Sequence, residues 1–167
     1  DTVFRVLSIN AGDVHAPLVV CHSYEEADVL STARHSLCMI GSDATALCLD
    51  GPLADSTFLG AYSWMGWIFS RLTSGPDRSS IADAVRTLSG AVADRFGLAN
   101  RGYIAIGKRA DIVVFEPGNF VEQATLHEPN IPSAGVRDVL VNGVPTLFNG
   151  AQVSQSGGRV LRKGSSN

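Results

Sequence analysis

Asp43 closes the stretch Leu37-Cys-Met-Ile-Gly-Ser-Asp43, a mostly apolar run that reads as a strand buried on both faces. In α/β architectures functional groups gather beyond the carboxyl ends of the strands, so an acid at such an end is a candidate catalytic residue. The competing reading is a turn cap formed by the Ser42-Asp43 pair. His22 stands at the matching place on the preceding run, Leu18-Val-Val-Cys-His22, where a histidine is either packed or a site residue. His22 and Ser42 are accordingly candidates for substrate contact.

Other chemistries lack their spacing. His-x-His, His-Glu-x-x-His and Cys-x-x-Cys do not occur, so a complete metal site is not expected from this chain, and Asp43 is its one candidate ligand. A Gly-x-Ser-x-Gly elbow is missing, and the glycines have neither dinucleotide nor phosphate-loop spacing. His15 and His35 read as solvated, with His35 near the negative end of a helix, and His127 lies in the long connection Ala124–Gly135 with no acidic or thiol partner at metal spacing.

The elements around Asp43 must hold it in place. Residues 3–9 read as the tail of an amphipathic helix, and Ala16–Cys21 as a first buried strand. A helix follows, with Ser23 as its N-cap, acids in its first turn and a stripe through Ala27, Leu30 and Ala33; the strand ending at Asp43 comes next. This alternation predicts a parallel α/β sheet. Residues 44–60 are irregular, with a turn signal at Asp50-Gly51-Pro52, and a loop of that length is more often functional than idle.

Gly60–Leu72, rich in Trp, Phe and Ile, reads as a helix packed on a sheet in preference to an aromatic ligand box. Ser80 opens another helix with a stripe at Ile81, Val85 and Leu88, which Gly90 breaks in two. Beyond Gly102 the pattern turns to β. Tyr103–Ile106 and Ile112–Phe115 read as two short strands, and Asn142-Gly143 and Asn149-Gly150 as two-residue hairpin turns. Residues 157–162 are a candidate last strand. A boundary near residue 100 divides the chain into 1–100 and 101–167.

Composition narrows the partners. Hydrophobic residues make up 45% of 167 and charged ones 17%, which is globular, and a net charge of −3 gives no footprint for nucleic acid. Neither a secretory leader nor a membrane-spanning run is read in the sequence. Cys21, Cys38 and Cys48 suit reduced thiols in a cytoplasmic protein. The first residue is not Met, from which a processed or cut chain is expected.

Four runs together resemble the C-terminal part of metal-dependent amidohydrolases, nearest the N-acyl-D-amino-acid deacylase (D-aminoacylase) branch. They are Ile40-Gly-Ser-Asp-Ala-Thr45, Gly51–Trp64, Ile81–Pro117 with its Gly107-Lys-Arg-Ala-Asp111 core, and Val136–Val153. The resemblance implies the last strands and helices of a (β/α)8 TIM-like barrel followed by part of a small β-sandwich. It further implies a hydrolase of C–N amide bonds in which Asp43 relays a proton, and one or two divalent ions, zinc above all, held by histidines outside this chain. The fold would be incomplete without an N-terminal partner segment of the same enzyme, because a barrel needs eight βα units and this chain carries about two. The few strands past residue 100 independently call for others to cover their edges. A small amide substrate and a homo-oligomer complete the expectation. Relatives of that branch often carry a Gly after the Ser-Asp pair and an Arg-bearing stretch ahead of Gly60, where this chain has Ala44 and Ser56-Thr-Phe-Leu-Gly60. Two alternatives stay open: a hydantoinase- or dihydroorotase-like cyclic amidohydrolase, and a non-catalytic α/β module that binds a ligand or protein.

Overall fold

The computed structural model describes residues 5, 23–45, 47, 53–54, 56–154 and 156–161. His22, Cys21, Cys48, His15, the expected strand at 16–21 and, apart from Arg5, the expected helix at 3–9 lie outside them. Helix α1 is Glu26–Arg34, α2 Trp64–Thr73, α3 Ile81–Leu88 and α4 Gly90–Phe96. Four strands follow, β1 Ile112–Phe115, β2 Val136–Val141, β3 Val144–Phe148 and β4 Ala151–Gln152, in one antiparallel sheet of order β1-β2-β3-β4.

Helix α2 is the centre of the molecule. Its Ile68, Phe69 and Leu72 are buried, as its all-round apolar sequence predicts, and they share a core with Ala33, Ala84 and Phe120. Phe69 meets Phe115 edge-on at 5.3 Å between ring centroids and Phe120 at 5.3 Å, while Phe115 and Phe120 stand 5.1 Å apart. One aromatic cluster thus joins the helices to the β-rich half, at separations where ring quadrupoles reward tilted contact.

Local signals behaved as their chemistry requires. Ser80 Oγ accepts from Asp83 N–H at 3.1 Å and donates to the Asp83 carboxylate at 2.7 Å, closing the first turn of α3. The break falls at Ser89, and Gly90 opens α4; a Cβ on Gly90 would lie 2.6 Å from the Tyr103 ring, which packs close against the bare Cα. Asn142-Gly143 and Asn149-Gly150 all take positive φ, as the tight turns of β2–β3 and β3–β4 demand. The Gly107–Asp111 run braces the first turn. Asp111 accepts from Asn142 N–H at 2.7 Å and pairs with Arg101, and Arg101 also donates to Asn142 Oδ1 at 2.6 Å.

Several expectations are corrected. Helix α1 begins two residues later than a Ser23 cap requires; Glu25 holds the cap position and makes no side-chain capping bond, although Glu26 and Asp28 do occupy the first turn. Leu30 and Ala33 face the core, whereas Ala27 is exposed. Residues 37–45 run without strand pairing, and Leu37 is 84% exposed, because no described strand lies beside them to accept their backbone bonds. Tyr103–Ile106 likewise forms no strand, leaving Ile104 and Ile106 in solvent, and residues 157–161 are irregular. In α3 it is Ala84 that is buried, while Ile81 and Val85 are largely exposed. The described sheet is wholly antiparallel, and its one fully buried residue is Asp138, so its apolar side chains are only half covered.

Candidate active site

A cavity of about 520 Å³ opens between α1, the extended segment 38–44, the loop 58–60 and the start of α2. Met39, Ile40, Phe58, Trp64 and Trp67 give it mostly apolar walls, and Asp28 and Thr32 reach it from α1. Trp64 and Trp67 therefore serve twice, packing against the core on one side and facing the cavity on the other. The sequence pattern revealed only the first of these roles. Asp28 and Thr32 were missed as wall residues, though their i, i+4 spacing puts them on one helix face; Thr32 Oγ1 donates to the Asp28 carbonyl at 2.9 Å.

The wall passes directly through the sequence-singled stretch. Ser42 and Ala44 line the cavity, and Asp43 between them is exposed rather than part of the wall. Asp43 has φ of 51°, a left-handed conformation that non-glycine residues rarely adopt and that asparagine and aspartate tolerate best. Ser42 fixes that turn, its Oγ accepting from Ala44 N–H at 3.0 Å across Asp43. Of the two readings of the Ser-Asp pair, the local turn is the one displayed, with serine as its acceptor; Asp43 itself stands between two wall residues and is exposed. Strained backbone of this kind tends to collect at functional sites.

The remaining candidates separate from it. His35 ends α1, and its Nδ1 accepts from Leu37 N–H at 3.2 Å, a local contact at the helix end. Cys38 is a free thiol on the cavity wall. Among the described residues no three His, Cys, Asp or Glu side chains gather to hold a metal ion. Nor is any described helix long and apolar enough to cross a membrane.

Residues 30–147 match the amidohydrolase family, and the chain belongs to it. N-acyl-D-glutamate deacylase of Alcaligenes xylosoxydans xylosoxydans is 32% identical over 144 residues, which are 85% of this chain and 28% of that protein. D-aminoacylase of the same organism is 42% identical over 80 residues, 48% of this chain and 16% of its own length. A solved D-aminoacylase, studied for the functional role of its binuclear metal centre, superposes with a TM-score of 0.51 at 34% identity, over 57% of this chain and 21% of that one. The chain spans between 16% and 28% of the length of the curated relatives it matches.

Proposed function

We propose that this chain supplies the C-terminal portion of a metal-dependent amidohydrolase that cleaves the amide C–N bond of N-acyl-D-amino acids, with Asp43 as the proton carrier. The observation that carries the reading is the family match over residues 30–147, which takes in Asp43, most of the cavity wall and the sheet through β3. The relatives' own names, deacylases of N-acyl-D-amino acids, support the substrate class.

In this reading residues 1–100 close a (β/α)8 barrel and 101–167 contribute strands to an accessory β-sandwich. The rest of the barrel, and strands to cover the half-exposed sheet, come from the N-terminal part of the enzyme, a requirement supported by the 28% coverage. The enzyme works in the cytoplasm and associates with further copies of itself. The described residues gather no complete ligand set, and in this reading one or two zinc ions are held mostly by residues outside this chain, with Asp43 its one candidate ligand. When bound, such an ion supplies hydroxide near neutral pH by acidifying the water it holds.

Asp43's part follows from its chemistry. As water adds to the acyl carbon, the carboxylate takes one of its protons; as the C–N bond breaks, the same proton passes to the amine nitrogen. Ser42 holds the turn that aims the carboxylate, and His22 and the Ser42 hydroxyl contact the substrate. The apolar Phe58-Leu59-Gly60 wall favours a second reading, ring-opening of a cyclic amide, because it offers no cation to a substrate carboxylate. Assay of the complete enzyme against N-acyl-D-amino acids, their L counterparts and a hydantoin, before and after chelation, separates the two. Hydrolysis confined to the D substrates, lost on chelation and restored by zinc, is expected. Preferred opening of the hydantoin would favour the second reading, and inertness towards all three would end both.

A further inference from the structure

The loop that walls the cavity does not hold itself in place. Phe58, Leu59 and Gly60 make one side of it, yet their local bonds are a turn from Ala61 N–H to the Phe58 carbonyl and the first bonds of α2 to the Gly60 carbonyl. Among the described residues, further bonds to the loop and its flanks come from a strap far along the chain, at Asn130 and Ser133. Asn130 Nδ2 donates to the Ser56 carbonyl at 2.9 Å, across 74 positions. On the other side of the loop, Ser133 N–H donates to the Tyr62 carbonyl at 3.3 Å and Ser133 Oγ to the Ser63 carbonyl at 3.2 Å. Gly66 lets this strap lie flat on α2, since a Cβ there would come within 2.9 Å of the Val121 backbone and 2.6 Å of Ser133 Oγ.

Asn130 is the one member whose bond reaches the loop ahead of the wall residues. Its other amide atom, Oδ1, is buried with no hydrogen-bond partner among the described residues. Turning the amide over would set Oδ1 against the Ser56 carbonyl, so the donor end is fixed where it is. The donor is thus the end of the amide that bonds the loop.

We propose that Asn130 is a positioning residue for substrate binding: by anchoring the Ser56 carbonyl it sets where Phe58 to Gly60 stand, and so shapes the pocket side that grips the substrate beside Asp43. The inference rests on the reading that this cavity takes the substrate. Asn130 acts through the loop and touches no reacting atom, so its loss weakens binding while leaving the chemical step intact.

The test uses the complete enzyme with Asn130→Ala and, should that variant fold poorly, Asn130→Asp, which keeps the shape and loses the donor. Hydrogen exchange at the backbone amides of residues 56–61 should quicken. KM for the N-acyl-D-amino acid should rise about tenfold, with kcat within about twofold of the parent, the pattern of lost ground-state positioning. Unchanged exchange would show that Asn130 does not hold the loop. Faster exchange with an unchanged KM, or a fall in kcat alone, would show that the loop does not position substrate. A parent enzyme that hydrolyses no amide removes the functional reading, and the exchange measurement still decides the anchor.

Discussion

Ser63, fully buried at the N-cap position of α2, donates from Oγ to Glu122 Oε1 at 3.0 Å, linking residues 59 positions apart. The same serine accepts on its carbonyl from Trp67 N–H and Ser133 Oγ, so helix, cavity loop and strap converge on it. Ser63→Ala should leave the Glu122 carboxylate without this donor and cost about 1–3 kcal/mol. A fall in the melting temperature of the complete enzyme checks it; an unchanged value would mean that the bond adds nothing net.

Asn142 combines a left-handed φ of 52° with three side-chain or backbone bonds: to Asp111, from Arg101, and from its own Nδ2 to the Gly157 carbonyl at 2.7 Å. Asn142→Ala should destabilise by about 1–3 kcal/mol through the lost bonds and a further ~1 kcal/mol through the backbone. Asn142→Gly should recover only the backbone part. Equal melting temperatures for the two variants would show that the turn conformation contributes nothing.

The β3–β4 turn is pinned by a carboxylate. Asp138 accepts from Asn149 N–H at 2.8 Å and from Arg137 Nε at 2.7 Å, and these bonds, the backbone one foremost, hold its pKa below the ordinary 3.8. A lowered folded pKa means that the unfolded chain binds the proton first as pH falls. The stabilisation is therefore complete above the ordinary carboxylate range and is lost as pH drops through the folded value. Melting temperatures followed from pH 6 to about 2 should converge for the parent and Asp138→Asn at the acid end. Curves separated by a constant gap at every pH would contradict this.

What could be read from the sequence divides along physical lines. The Ser80 cap, the Asn-Gly turns and the break ahead of Gly90 depend on residues within a few positions, and each stands where its chemistry requires. The core role of α2 was likewise legible, because an apolar surface on every side leaves a helix few places to go. Strands were harder. Residues 37–45 and 103–106 have strand composition, but a strand exists only by pairing, and no described strand lies beside them. The Ser42-Asp43 turn was foreseen as one of two readings, while the left-handed backbone at Asp43 was not. The Asn130 anchor had no local signal at all, since its partner is a backbone carbonyl 74 positions away.

In the proposed reaction Asp43 is the group that moves the proton in amide cleavage. Its most direct test is kcat of the complete enzyme carrying Asp43→Asn, with bound metal quantified in the same preparation. A fall of about 10²–10⁴-fold at undiminished metal content is predicted. A kcat within about twofold of the parent, metal still bound, would contradict the assignment, because efficient general acid–base catalysis does not survive loss of its carrier.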